Sequence, residues 1–350
     1  MRRGQIDSIQ MMRGIAATAV AAFHLGAAAP SDSFFRVFEH GEAGVDLFFV
    51  ISGFIILYSV EARPGMTRDF FVRARFWRIL PPYWAILTCY VLAASLLGLI
   101  ETGEITFPSW SKLGVSYFVL PYPDHVIIIA WTLSIELLFY AVFALVYFRY
   151  HTKGLVLAMI AWYAATQLPR IGSEPLPTWL LLPLHSIVLE FLFGTLIAMV
   201  YMRGRMPLQW TALLVGSISM FAYLGGWIQM EVGREIMPGI PAALIIYGVL
   251  KLRVSMPRIV LLWGESSYIL YLGHLLAFSV MGNLALLAVG VDVYASDTAL
   301  IVMLVSAIAL SCLATRYIEQ PYQRWYKRTR LSKLAESSER SPENRPAETT

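Results

Sequence analysis

The sequence predicts an all-α, polytopic membrane helical bundle of about ten transmembrane helices, and three observations carry that prediction. The 350 residues are 58% hydrophobic and only 14% charged, where soluble domains carry about 25% charge. The apolar residues come in blocks of roughly twenty, the length a helix needs to cross a bilayer, without the period-two alternation of an outer-membrane barrel. The basic residues are distributed along the chain as topology signals rather than as a nucleic-acid-binding patch, despite a pI near 9.0.

Taken in order, the blocks lie near 9–29, 44–60, 82–100, 126–148, 154–168, 180–201, 210–228, 236–250, 261–289 and 297–317. The fifth is short, and the ninth is interrupted by Gly264, Gly273 and Gly282. The loops after the odd-numbered blocks hold only Arg36, Lys112, Arg170 and Arg234 of the 27 lysines and arginines. That bias predicts N-in, C-in and an even number of spans. A rival view of residues 1–30 as a cleaved signal peptide ending in Ala27-Ala28-Ala29 would leave an odd number and spoil the charge pattern. Residues 1–330 are expected to form one transmembrane domain, and the Ser-, Glu-, Arg- and Pro-rich residues 331–350 a disordered cytoplasmic tail. Cys89 and Cys312 are the only cysteines, too few and too far apart for a disulfide framework or a zinc site.

Ionisable residues inside a span cost free energy and mark function or mutual pairing. In the first block Arg13 and His24 are eleven residues apart, so they share a helix face with a rise of about 16 Å between them. The plain alternative for His24 is a buried histidine bonded to neighbouring backbone. The second block opens Gly44-Val45-Asp46 and continues to Ser52-Gly53-Phe54. Asp46 falls at its outer end, where an acid could orient or pair with a histidine of the next helix, or simply cap its own. Gly44 and Gly53 allow close helix packing.

The following loop carries Arg73, Arg75 and Arg78. The last two share a face at i, i+3, while Arg73 points elsewhere. Basic residues are expected at such a boundary from topology alone, but an all-arginine set also suits phosphate groups. Further ionisable or hydroxyl groups recur in the later blocks: Glu136, His185, Glu190, Tyr271, His274 and Glu319. Glu319 is placed at the cytoplasmic edge, to answer an arginine there.

At these residues the chain resembles the acyltransferase 3 family of membrane O-acyltransferases. Four features agree in order: Arg13 with His24, Gly-Val-Asp-x-Phe-Phe-Val-x-Ser-Gly-Phe at 44–54, Arg-x-x-Arg-Ile-x-Pro-x-Tyr at 75–83, and Trp-Thr-Leu-Ser-Ile-Glu at 131–136. Within the family it is most similar to the ExoZ-like exopolysaccharide acetylases. Related members often read Ser-x-Glu-Glu where Leu137 follows Glu136 here.

The resemblance implies transfer of an acyl group, by family default acetyl, from a cytoplasmic coenzyme A thioester to a hydroxyl of an exopolysaccharide, another surface glycan or a lipid-linked sugar. It implies a multi-pass protein of the bacterial inner membrane that uses acetyl-CoA as cosubstrate and holds no permanent cofactor, metal or nucleic acid. His24 corresponds to the essential histidine, Arg13 to its motif partner, and Arg75 and Arg78 to the cytoplasmic arginine motif. On this basis Arg73, Arg75 and Arg78 are expected to bind the donor's phosphates, and His24 to act as base or nucleophile with Asp46 holding its tautomer. Ser52, Glu136 and Tyr271 are further expected pocket members. The competing class is a proton-coupled transporter or flippase, for which ten spans and buried ionisable groups are equally suitable.

Overall fold

The computed structural model describes residues 6–168, 176–228, 233–252, 255–326 and 328–329; the expected tail at 331–350 lies outside them. Among the described residues the regular structure is helical, with no strand. Six helical stretches are long and apolar enough to cross a membrane: Asp7–Ala28, Phe34–Glu61, Arg68–Ile100, Ile128–Gln167, Ser267–Val289 and Asp297–Tyr326. Three shorter apolar helices, Val188–Met202, Gln209–Leu224 and Gly239–Val249, lie between the fourth and fifth of these.

The principal helices are α1 (Asp7–Ala28), α2 (Ala43–Glu61), α3 (Arg68–Thr102), α4 (Trp110–Tyr117), α5 (Trp131–Gln167) and α6 (Thr178–Leu181). They continue with α7 (Val188–Met202), α8 (Gln209–Leu224), α9 (Gly239–Val249), α10 (Arg258–Glu265), α11 (Ser267–Val289), α12 (Asp297–Ala314) and α13 (Gln320–Tyr326). One core cluster joins α2, α5, α7 and α9 through side chains such as Phe54, Phe139, Phe191 and Ile246. A second joins α1, α11 and α12 through Ala17, Ala21, Leu270 and Ala307. Large apolar residues turn outward from both, among them Leu92, Leu96, Leu214, Ile218, Val302 and Val305, as expected of helices whose outer faces meet lipid.

The small residues act as the sequence suggests. A Cβ on Gly44 would strike the backbone oxygen of Ala16 on α1, and one on Gly53 would strike that of Phe191 on α7. Gly194 on α7 meets Val50 on α2 in the same way. Without a hydrophobic driving force between helices in lipid, such close backbone approach gains the van der Waals contact that holds them together.

The arginine segment expected as a loop is instead the first turns of α3, a 35-residue helix that runs through Pro81 and Pro82. Thr67 starts it by accepting a hydrogen bond from the Phe70 amide. The prolines have no N–H to give to the carbonyls four residues back, which are those of Trp77 and Arg78. Both are satisfied from the C-terminal end of the chain. Tyr322 donates its hydroxyl to Trp77 O at 3.1 Å, and Gln323 donates its amide to Arg78 O at 3.5 Å. Two absent hydrogen bonds thus become the docking points of α13.

α5 also differs from a simple rod. At 37 residues it would be about 55 Å long if straight, yet Trp131 at its start packs on His185 and Tyr163 near its end reaches Glu235. The reversal falls at His151, whose φ of 54° and ψ of −164° break the helix. Tyr147 before the break and Thr152 after it both donate to Glu61 Oε1 at 2.9 Å. The fourth and fifth apolar blocks are therefore two helical limbs separated by the break at His151.

Gly53→Ala is expected to lower stability in detergent by about 1–3 kcal/mol, the usual cost of overpacking; an unchanged thermal midpoint would contradict the close α2–α7 contact. Tyr322→Phe should cost about 1 kcal/mol by freeing a proline-orphaned carbonyl. Protection of the C-terminal helix from proteolysis reports it.

Candidate active site

α1 carries a polar residue towards each end of the bundle. At the end where α1 begins, Arg13 is half-buried and donates weakly to Gln10 at 3.4 Å. Arg78, Glu319, Glu136 and Tyr140 lie within its electrostatic reach. Arg75, one turn before Arg78 on α3, donates to Ser59 Oγ at 3.0 Å. Its guanidinium lies over the rings of Phe71 and Tyr140 at 5.6 and 5.9 Å. Three arginines from two helices thus meet with the carboxylates of Glu136 and Glu319. Arg73 is exposed and stands outside this group.

Glu136 connects the arginine cluster to the bundle interior. Ser52 donates to its Oε1 at 2.9 Å, and Tyr140 donates to the same oxygen. The arrangement brings together Ser52 from α2, Glu136 and Tyr140 from α5, and Arg75 from α3. One turn closer to the far end, Thr132 bonds the Tyr271 hydroxyl at 2.9 Å. Tyr271 in turn stands 6.3 Å, ring to ring, from His274.

His24 meets that group from α1. Its Nδ1 lies 2.8 Å from the Val20 carbonyl oxygen and 3.2 Å from Nε2 of His274. The two rings are 5.0 Å apart. His274 is fully buried, with its own Nδ1 3.0 Å from Leu270 O. His24 is only half-buried. α1 is fixed against these neighbours by Gly14 under the Trp263 ring and by Trp263 Nε1 donating to Thr18 at 3.1 Å.

Asp46 does not meet His24. Its fully buried carboxylate accepts two hydrogen bonds from Arg234, 3.1 Å from Nε and 2.7 Å from Nη2. Arg234 also donates to Glu42 O at 2.6 Å. Glu190, buried at the start of α7, is a second carboxyl group near Asp46, and among the described residues neither of its oxygens has a hydrogen-bond partner. Burial works against the Arg234 charge, but Asp46 first, then Glu190 and Glu42, outweigh it and hold the guanidinium above its ordinary value. The expected Asp46–His24 contact is replaced because the loop before α9 delivers an arginine directly to the N-terminus of α2.

Of the residues singled out from sequence, Arg13, Arg75, Arg78, Glu136 and Ser52 gather at one level. His24 and Tyr271 gather at another, joined through His274. The partners that sequence alone did not assign are His274 for His24, Arg234 for Asp46, and Tyr140 for Glu136. Tyr140 had a signal, being four residues after Glu136 on one helix. The other two pair different helices, which spacing does not encode. Among the described residues no group of three or more His, Cys, Asp and Glu is arranged to hold a metal ion.

The protein-family model described as an acyltransferase domain, that of the acyltransferase 3 family, matches residues 6–316. The chain belongs to the acyltransferase 3 family. It is therefore an acyltransferase, and the family match decides against the transport alternative. The matched stretch contains every residue of the two polar levels except Glu319, and so includes Arg13, His24, Arg75, Arg78, Glu136 and His274. The chain is also 31% identical over 311 residues to the exopolysaccharide production protein ExoZ of Rhizobium meliloti (strain 1021), an alignment that covers 82% of this chain and 91% of the relative. No solved structure matches it significantly.

Removing one member of the Asp46–Arg234 pair leaves the other charge buried, which typically costs about 3–5 kcal/mol. Arg234→Ala and Asp46→Asn should each lower the thermal midpoint sharply, while the double variant loses less than the sum of the two. Additive losses in that cycle would show that the pair does not act as a unit.

Proposed function

We propose that this acyltransferase takes an acyl group, by family habit acetyl, from cytoplasmic coenzyme A thioester and places it on a hydroxyl of an exopolysaccharide or related surface glycan. The observation that carries the proposal is the pair of polar levels on α1. Three arginines gather at one, a half-buried histidine stands at the other, and a rise of about 16 Å separates them. Guanidinium groups recognise phosphate oxygens through charge-assisted, forked hydrogen bonds. Arg75 and Arg78, with Arg13 beside them and Arg73 at the exposed rim, supply such groups in excess of the neighbouring carboxylates. The name of the relative, an exopolysaccharide production protein, supports the acceptor class.

The same arrangement supports the proposed orientation. Arg13, the start of α3 and Glu319 mark one end of the bundle. Asp46, Arg234 and the bond from Ser33 to Asp297 mark the other. Helices α1, α2, α3, the two limbs of α5, then α7, α8, α9, α11 and α12 run alternately between these ends. That alternation supports ten membrane segments with both termini in the cytoplasm of a bacterium's inner membrane. The fifth of them is the returning limb of α5, which begins after His151.

In the proposed reaction His24 accepts the proton of the acceptor hydroxyl as the hydroxyl oxygen bonds to the thioester carbonyl carbon. The carbon–sulfur bond then breaks, and the proton passes to the departing thiolate, so no charge is left in the bundle. The alternative order, in which His24 first takes the acyl group and then yields it to the hydroxyl, uses the same atoms. Glu136 and Tyr140 hold the arginines in place, and Ser52 fixes Glu136 in turn.

Radiolabelled acetyl transfer to extracellular polysaccharide, in cells expressing wild type or His24→Ala at matched membrane levels, tests the proposal. Label is expected with the wild type and absent with the variant. Label unaffected by the substitution would remove His24 from the chemistry. Arg75→Ala and Arg78→Ala should each raise the KM for acetyl-CoA roughly tenfold or more, the loss of one charge-assisted hydrogen bond. An unchanged KM would move the donor site elsewhere.

A further inference from the structure

The histidine pair fixes more than proximity. His24 Nδ1 lies 2.8 Å from Val20 O, and a carbonyl oxygen can only accept, so this nitrogen carries the ring hydrogen and the lone pair of the neutral ring falls on Nε2. The same argument applies to His274. Its Nδ1 is 3.0 Å from Leu270 O, so Nδ1 carries the hydrogen and Nε2 presents a lone pair. That lone pair is 3.2 Å from His24 Nδ1. The Nδ1 hydrogen of His24 is therefore shared between Val20 O and His274 Nε2.

We propose that His274 is the positioning residue of this acyltransferase, holding His24 as the Nδ1–H tautomer so that Nε2 is the atom that reacts. The proposal deepens the assigned role of His24 and rests on it. Val20 lies on the same helix as His24, so its carbonyl holds the hydrogen on Nδ1 only while the ring faces it and does not stop the ring turning away. His274 comes from α11 and is itself immobilised: it is fully buried, bonded to Leu270, and packed against Tyr271 and Phe278 at ring distances of 6.3 and 5.7 Å. It fixes the imidazole plane from outside α1. It thus fills the place that a carboxylate occupies in a Ser-His-Asp triad, the place expected here of Asp46, which Arg234 holds elsewhere.

The substitution of imidazole for carboxylate has a chemical consequence. A neutral acceptor on Nδ1–H orients the ring as a carboxylate does, but adds no negative charge to retain the proton that Nε2 takes up. His24 can then return that proton to the departing thiolate without working against a buried anion.

The test reads tautomer and orientation directly. The purified full-length protein is treated with a methylating sulfonate ester, the peptide containing His24 is hydrolysed, and Nε2-methyl and Nδ1-methyl histidine are separated by chromatography. The wild type is expected to yield the Nε2 product at His24 almost alone. His274→Phe, which keeps a ring but offers no acceptor, should lower the Nε2 to Nδ1 ratio several-fold and reduce kcat on the order of a hundredfold with little change in KM. His274→Gln, whose amide oxygen can accept from Nδ1–H, should restore much of both. If the phenylalanine variant fails to reach the membrane, His274→Met serves in its place. A predominant Nδ1 product in the wild type, or a ratio indifferent to position 274, would overturn the proposal. The methylation readout needs no acyl donor or acceptor, so it stands or falls separately from the assignment of acyl transfer.

Discussion

A charge inside a membrane must be answered from within the protein, because lipid offers it nothing. Much of this structure follows from that constraint. Asp46 could not be buried at the head of α2 without the bidentate arginine that reaches it from the loop before α9. Glu136 could not project into the bundle without Ser52 and Tyr140. Even uncharged deficits are met the same way, as when Tyr322 and Gln323 supply the hydrogen bonds that Pro81 and Pro82 withhold. Apart from Tyr140, which shares a helix with Glu136, each answer comes from a distant part of the chain, so these polar contacts also specify which helices are neighbours.

The all-helical membrane architecture was legible because lipid selects for apolar blocks of a fixed length, and a block is a property of consecutive residues. Close helix approach was legible at Gly44 and Gly53, where small residues interrupt an otherwise bulky stretch. The relation between Arg13 and His24 was equally accessible, since both lie on one helix and its geometry sets their separation. The continuation of α3 through two prolines was not, because the compensating hydroxyl and amide lie more than two hundred residues away. The division of α5 into two limbs at His151 was legible as two apolar blocks, although the break itself falls on a histidine and not on the nearby Gly154.

The partner of His24 is the clearest case of what a sequence withholds. Asp46 lay on the neighbouring helix at a suitable depth and had the chemistry to orient an imidazole. Arg234 looked like an isolated loop charge. Only the packing of α2 against α7 and α9 shows that these two satisfy each other, and only the packing of α1 against α11 brings His274 to His24. The residue types were all visible, but pairing across helices is a three-dimensional fact.

The brevity of α7, α8 and α9 has a consequence for the bilayer. At 15, 16 and 11 residues these helices are about 17–24 Å long, against a hydrocarbon core of roughly 30 Å. A bilayer meeting a short apolar belt draws its two surfaces together. The leaflets beside α8, whose outward face is rich in leucine, isoleucine and phenylalanine, must dimple towards each other. The two aqueous faces then stand nearer across this flank of the protein than across the surrounding lipid.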